Sequence, residues 1–291
     1  MKETAGEKCF YVFNYVVLSI AGLSCILPFM HVFALSFSDS AAITSGFVIF
    51  WPIDWTGAAY STLIVGTNIL KAFLNSVIIT VIGVILSMTF TIMAAYPLSR
   101  PYFYYRRLFT LGIVFTMIFS GGLVPTFLVI KGLGLVNSYG AIWITGLVSA
   151  FNMLVMKSFF ENIPVEMEEA ARMDGCNEFK LLFKVMLPLS VPVLAALTLF
   201  YGVGYWNAFM SVLIYINDTL KFNLTVLVQQ MVRSQSLMQE MNRLQPEDIL
   251  TMTPDSIKAA AVLIMVAPML LVYPFLQKYF IKGIMLGAIK G

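Results

Sequence analysis

The sequence predicts an all-α membrane protein with six transmembrane helices, cytoplasmic N- and C-termini, and a further cytoplasmic helix between helices four and five. Hydrophobic residues make up 59% of the 291 residues and charged residues only 11%, whereas an average soluble domain is about 25% charged. The mean hydropathy is +0.87. So few charges exclude a secreted, disordered or nucleic-acid-binding protein.

The predicted helices follow from long runs without a charged residue. A bilayer core needs about 20 apolar residues as helix, and the runs are apolar all round, which favours helices over barrel strands. The first run is too long for a signal peptide and is taken as an uncleaved span. The chain is thus one domain, 1–291, with spans at 10–37, 72–97, 108–130, 138–157, 189–216 and 258–279.

The orientation of these spans follows from the lysines and arginines. With the N-terminus inside, most of the 18 Lys and Arg residues lie in inner segments, as the positive-inside rule requires. The short loop with Arg100, Arg106 and Arg107 carries no acid. Both termini are therefore expected in the cytoplasm, and the stretch 55–70 is expected to be an interfacial segment outside.

Catalytic and metal-binding patterns are absent from the sequence. No phosphate-binding P-loop, HExxH, CxxC or GxSxG occurs, and three scattered cysteines with the single His31 form neither a disulfide framework nor a His-rich metal site. The runs also lack the ionisable groups that proton-coupled carriers place inside the membrane. We therefore expect no enzyme, no catalytic or metal site, and no cofactor bound by this chain.

The connection at 161–188 predicts a short helix, a glycine turn and an amphipathic helix. Asn162 and Pro164 suit a helix start, and Gly175 suits a stop. In the second helix an apolar face is expected, and Pro188 should end that helix before the fifth span. The residues expected on that face are Phe179, Leu182, Phe183 and Met186. Small residues between the charges favour a docking element over an ordinary loop that re-enters the bilayer.

The same segment carries a motif. Glu169-Ala170-Ala171, Gly175, Val185 and Leu187-Pro188 stand at the spacing of the EAA loop of binding-protein-dependent ABC importer permeases, which they resemble; Val185 alone departs from the usual Ile. The resemblance implies a coupling helix that docks on a separate ATPase. The residues it assigns to that contact are Glu168, Glu169, Ala170, Ala171, Asp174, Gly175, Leu187 and Pro188.

The resemblance extends over nearly the whole chain and is closest to the smaller, MalG-like permease of the carbohydrate-uptake branch. The matching segments are 95–100, 132–138, 206–207 and the tail 282–291, and Gly121–Pro125 resembles the subgroup for polysaccharide fragments. The resemblance implies a multi-pass protein of a prokaryotic cytoplasmic membrane that moves a sugar, here an oligosaccharide. Implied partners are a second homologous permease, two ATPase subunits that hold ATP and Mg, an extracytoplasmic solute-binding protein and membrane lipid, with no nucleic acid.

A solute path is predicted on the fifth run, because amides recognise sugar hydroxyls and aromatic rings pack on sugar faces. The candidates are Thr198, Tyr201, Tyr205, Trp206 and Asn207. Helix packing at glycines and a preference of Tyr and Trp for the interface explain the same residues equally well. For Asn75 and Asn152 the expected role is hydrogen bonding between helices. The polar external loop at 217–257 stands where the related subunit reaches into its binding protein.

Two readings from other classes stay open. An ion-coupled secondary carrier would show inverted repeats or an ion site in the membrane, and neither is found in the sequence. In a structural or assembly subunit without a pathway, the polar and aromatic face of the fifth run would have no role.

Overall fold

The computed structural model describes residues 5–242 and 253–288, and these residues form helices and turns without a β-strand. The all-α prediction is therefore confirmed for the described part of the chain. In chain order the helices are α1 (Ala5–Phe37), α2 (Ser40–Thr44), α3 (Ala58–Gly66), α4 (Ile69–Ser99), α5 (Arg106–Ile118), α6 (Leu123–Gly132), α7 (Tyr139–Thr145), α8 (Ala150–Glu161), α9 (Val165–Met173), α10 (Glu178–Leu181), a π-helical turn (Leu182–Met186), α11 (Leu187–Leu189), α12 (Val191–Trp206), α13 (Met210–Tyr215), a 3₁₀ turn (Thr219–Lys221), α14 (Leu224–Asn242) and α15 (Pro254–Ala288).

Three stretches are single helices long and apolar enough to cross a membrane, namely Gly6–Phe37, Ile69–Ser99 and Pro254–Pro274. The predicted spans 108–130, 138–157 and 189–216 overlap pairs of helices that bend sharply at a short break, although the third pair begins at Glu178, before the predicted span. The bend is 116° between α5 and α6, 52° between α7 and α8, and 82° between the helix Glu178–Leu189 and α12. The described chain thus holds six candidate spans only if each bent pair counts as one.

The breaks occur where the sequence carries glycine, serine or proline. Between α5 and α6 the backbone of Gly122 takes φ +81°, a conformation that glycine adopts without strain. Ser149 begins α8 by accepting a hydrogen bond from the backbone of Asn152. Before α12, Pro188 and Pro192 flank the bend, and proline removes the backbone donor that a continuous helix needs.

The chain divides into two compact units. The first takes residues 5–69 with 228–242 and 253–267. Most of α1 is exposed, but its end packs beside α3 through the rings of Phe37 and Tyr60, whose centroids lie 4.9 Å apart. Tyr60 also donates a hydrogen bond to the Ser36 hydroxyl at 3.1 Å. The stretch 55–70, predicted as an interfacial segment, thus contains the helix α3.

Most of the described part of the long connection at 217–257 is helical. The 3₁₀ turn Thr219–Lys221 leads into α14, whose first residues Leu224 and Val226 are buried. The expectation of a loop was therefore wrong for 224–242, which forms α14 with apolar residues at its start packed into the protein. Residues 243–252 of the same connection, and 289–291 of the tail, lie outside the described residues.

The second unit, 70–227 with 268–288, is built around α4. One buried cluster joins the end of α4 to α8, α9, the π-helical turn and α12. Another joins the middle of α4 to α7, α12, α13 and the start of α14. On α4, the buried amide of Asn75 donates hydrogen bonds to the carbonyls of Leu220 and Phe222, each at 2.9 Å. Asn75 thus binds the backbone of a turn rather than another helix.

Replacing Asn75 with leucine should destabilise the protein by about 1–3 kcal/mol, because the carbonyls of Leu220 and Phe222 lose their donor and the second of these bonds is buried. The measurement is the midpoint of thermal unfolding of the purified chain in detergent. Asn68→Leu is the matched control, since Asn68 is exposed. Equal midpoints for the two variants would contradict the role assigned to Asn75.

Candidate functional site

The helix α9 begins and ends at defined residues. Glu166 and Glu168 lie in its first turn, where carboxylates stabilise the positive end of a helix. At its end Gly175 has φ +78°, and its N–H donates to the Arg172 carbonyl while that of Cys176 donates to the Ala171 carbonyl. This pair of bonds is a Schellman motif. The predicted helix and its glycine stop are therefore confirmed.

One detail of that prediction was wrong. Asn162 does not begin α9; it ends α8, and its amide donates back to the carbonyl of Ser158 at 2.9 Å. Pro164 stands directly before α9 and makes no side-chain cap. Asn162 serves the preceding helix because α8 continues to Glu161, further than the predicted fourth span.

A cluster of charged and phenolic side chains connects α9 to the end of α4; we call Arg100, Glu168, Arg172, Glu178, Tyr96 and Tyr102 the charge cluster. Arg100 forms an ion pair with Glu168. Arg172 binds the other oxygen of Glu168 at 2.8 Å and Glu178 at 2.5 Å. The Tyr96 and Tyr102 hydroxyls donate to Glu178 at 2.8 and 3.1 Å. Each carboxylate thus receives hydrogen bonds from at least two donors.

Hydrogen bonds within the charge cluster favour the charged forms of Arg172 and Glu178 and the neutral form of Tyr102. Hydrogen bonds to Glu168 and Glu178 raise the pKa of Arg172 above its ordinary value. Burial and the hydrogen bond to Glu178 raise the pKa of the Tyr102 hydroxyl. Burial acts to raise the pKa of Glu178, but the hydrogen bonds from Tyr96, Arg172 and Tyr102 outweigh it, so that the pKa is lowered. The stabilisation from Glu178 is therefore present above its ordinary pKa and is lost as the pH falls through the lowered one.

The predicted coupling residues divide between two faces of α9. Glu168 and Ala171 point inward: the Glu168 side chain is 13% exposed, and Ala171 packs in the cluster around Phe160 and Leu181. On the outward face four residues are exposed, namely Glu169, Ala170, Asp174 and Gly175. Inward residues thus hold the helix in place, and these four outward residues contribute small and acidic groups to the exposed surface, beside the exposed Met173.

The remaining two predicted coupling residues, Leu187 and Pro188, lie at the start of the 82° bend, Leu187 half-buried and Pro188 exposed. The predicted apolar face before them was wrong. Leu182 and Met186 are buried, whereas Phe179 and Phe183 are 75% and 63% exposed. The π-helical turn at Leu182–Met186 changes the residue period that the prediction assumed.

A second candidate region is a cavity of about 830 Å³, which we call the tyrosine pocket. It opens where α7 and α8 break apart and is bordered by α12 and α13. Its lining carries aromatic rings, amides and hydroxyls but no charged group, and consists of Ile142, Thr145, Gly146, Ser149, Phe151, Asn152, Phe200, Tyr201, Gly204, Tyr205, Asn207, Ala208, Phe209, Met210 and Ser211. Asn152 is nearly buried and forms no side-chain hydrogen bond among the described residues, so the bond between helices expected of it is not formed there.

The five predicted path residues do not share one cavity. Tyr201, Tyr205 and Asn207 line the tyrosine pocket, whereas Thr198 and Trp206 line a separate apolar cavity of about 380 Å³. Thr198 was thus wrongly assigned to the side of the tyrosines. In the pocket, Asn207 follows the last residue of α12 and is exposed.

Both tyrosine hydroxyls are already engaged by the protein. The Tyr201 hydroxyl lies 2.7 Å from Thr91 Oγ1 and accepts the N–H of Ser149 at 3.0 Å. The Tyr205 hydroxyl lies 2.9 Å from Ser87 Oγ. The tyrosines therefore connect α12 to α4 and to the break before α8, and they line the pocket.

Most of the charge cluster was missed by the sequence analysis. Arg100 and Glu168 are 68 positions apart, and no periodic pattern joins residues at such a distance. One signal was available: Glu168 and Arg172 stand at i, i+4, the spacing at which opposite charges pair on a helix.

The sequence as a whole matches the family model described as binding-protein-dependent transport system inner membrane component, over residues 2–285. The chain belongs to this family. It is 42% identical, over 98% of its length and 99% of the relative's, to the polygalacturonan/rhamnogalacturonan transport system permease protein YtcP of Bacillus subtilis. It is 36% identical to protein LplC of the same organism, over 100% and 98% of the two chains.

A solved structure is similar over the same length. It is the crystal structure of a bacterial ABC transporter involved in the import of the acidic polysaccharide alginate; the match has a TM-score of 0.87 and 32% identity and covers 96% of this chain and 99% of that one. The chain is therefore an inner membrane permease subunit of a transport system and not itself an enzyme.

The packing of Tyr205 on α4 predicts that alanine at two different glycines changes the stability of the protein in opposite directions. A Cβ at Gly83 of the permease would lie 2.7 Å from the Tyr205 ring, so Gly83→Ala should destabilise it by about 1–3 kcal/mol through overpacking. A Cβ at Gly112 meets nothing within 4 Å. Gly112→Ala should therefore stabilise α5 by up to about 1 kcal/mol.

The midpoints of thermal unfolding of the two variants, compared with the wild-type midpoint in the same detergent, measure both changes in stability. A Gly83→Ala variant as stable as Gly112→Ala would contradict the close approach of α12 to α4.

Proposed function

We propose that this permease forms half of the pathway of an ATP-driven importer, and that its outward α9 surface docks on a separate ATPase. The supporting observation is the division of α9 into an inward face held by the charge cluster and an outward face with Glu169, Ala170, Asp174 and Gly175 exposed. A helix that transmits force must be fixed to the moving part and still present a surface to its partner. Small residues on that surface allow a partner's backbone to come close.

In this proposal both termini and α9 lie on the cytoplasmic side. Support comes from the arginine-rich turn beside α9, which holds Arg100, Arg106 and Arg107. A second homologous permease completes the pathway, two ATPase subunits hold ATP and Mg, and an extracytoplasmic binding protein delivers the solute. The chain itself then binds no nucleotide.

The proposed solute is an oligosaccharide, and more specifically a fragment of an acidic polysaccharide. The relative at 42% identity is named for polygalacturonan and rhamnogalacturonan, and the similar structure for alginate. The lining of the tyrosine pocket includes aromatic rings, amides and hydroxyls, which suit the rings and hydroxyls of sugars. Its lining carries no cation, so recognition of the sugar carboxylates falls to the binding protein or the second permease.

Substitution at Gly175 tests this proposal. An Asp at that position takes the left-handed backbone conformation at a cost of about 1–2 kcal/mol and adds a negative charge at the negative end of α9. We expect the Gly175→Asp permease to insert and to co-purify with its partners, but to hydrolyse ATP with sugar uptake reduced about tenfold. The measurement is uptake per ATP hydrolysed by the complete transporter in proteoliposomes.

Gly134→Asp is the matched control, because Gly134 also has positive φ, +69°, and open space around it, but lies after α6. The Gly134→Asp variant should keep the wild-type sugar uptake per ATP hydrolysed. A wild-type chain that purifies without a second permease and an ATPase, or wild-type uptake by Gly175→Asp, would reject the proposed function.

A further inference from the structure

The position of Arg100 is unusual for a charged residue, because it lies directly after α4 and is only 5% exposed. Each part of its guanidinium has a partner. Nε donates to the Ser99 hydroxyl at 3.1 Å, one terminal nitrogen pairs with Glu168, and the other lies 3.9 Å from the Met186 sulfur. The guanidinium also lies over the Tyr96 ring, 4.9 Å from its centroid. A buried charge persists only with such compensation.

The helix α9 has little else that fixes it to the protein. Ala171 is its single buried residue within the described chain, and a methyl group fits many positions equally well. The polar contacts of Glu168 and Arg172 are directional and have defined lengths. The position of α9 relative to α4 is therefore set by the charge cluster, with Arg100 on the α4 side.

Helix α4 also contacts two of the residues that line the tyrosine pocket. Ser87 and Thr91 are fully buried on one face of α4, and their hydroxyls bind those of Tyr205 and Tyr201. At 1.5 Å per residue, Thr91 lies about 14 Å along the chain from Arg100. The helix between them is continuous, with Pro97 in its last turn. A continuous helix with hydrogen bonds at these two positions therefore connects the charge cluster to both tyrosines.

From these contacts we infer that Arg100 is a positioning residue: it fixes α9 to α4, and α4 transmits the movement of α9 to Tyr201 and Tyr205 in the tyrosine pocket. The inference rests on the proposed function. It assigns a role in coupling to residues that lie outside the outward α9 surface.

The test compares Arg100→Met, Arg100→Lys and the double variant Ser87→Ala/Thr91→Val in the complete transporter. Lysine keeps the charge beside Glu168, and methionine keeps only the bulk. Sugar uptake per ATP hydrolysed should fall about fivefold or more in Arg100→Met, the low end of typical coupling between sites, and recover in Arg100→Lys. The double variant, which leaves the charge cluster untouched, should show the same fall.

Arg107→Met is the matched control, because Arg107 is exposed at the start of α5 and its variant should keep the wild-type uptake per ATP hydrolysed. If Arg100→Met fails to assemble, the double variant decides: a lowered ratio supports the inference and a wild-type ratio overturns it. A wild-type transporter without coupled uptake overturns the proposed function and this inference together. Wild-type coupling with unchanged ratios in Arg100→Met and the double variant overturns this inference alone.

Discussion

A buried positive charge at the end of α4 imposes the constraint on which the α9 region depends. The Arg100 side chain is 6% exposed and its partner Glu168 13%. Removing one member of a buried ion pair typically costs about 3–5 kcal/mol, because the other charge is left without compensation. The protein must therefore keep Glu168, and with it α9, beside the end of α4. Arg172 and the two tyrosines of the charge cluster then satisfy the remaining carboxylate oxygens.

This constraint explains why one short helix can serve two purposes. The nine residues of α9 bury little apolar surface, so directional charge contacts hold the helix in place. Its outward residues, among them Glu169, Ala170 and Met173, stay exposed. The break between α7 and α8 follows the same principle. There the Ser149 N–H donates a hydrogen bond to the hydroxyl of Tyr201. This bond gives the backbone N–H a partner at a place where a membrane offers no water.

Local sequence patterns predicted the helical class, from the charge-free runs, and the α9 helix with its glycine stop. They did not predict the bends, because hydropathy is the same in a straight and a broken apolar run, although Gly121-Gly122 and Gly146 stood at two of the breaks. Of the candidate site, the motif on α9 was found, whereas its connection to Arg100 was not. Contacts between distant positions depend on how helices pack, and periodicity within one helix carries no information about it.

The connection between α9 and α4 can be measured directly as a distance between spin labels in the complete transporter. Met173 on α9 and Tyr104 in the turn after α4 are both 88% exposed and can be replaced by labelled cysteines once the three native cysteines are removed. If the charge cluster holds the two helices together, the distance distribution should be the same with and without the nucleotide that closes the ATPase. A shift of more than about 2 Å, the scale of helix movements in switching proteins, would show that α9 moves independently of α4 and would contradict the fixed connection.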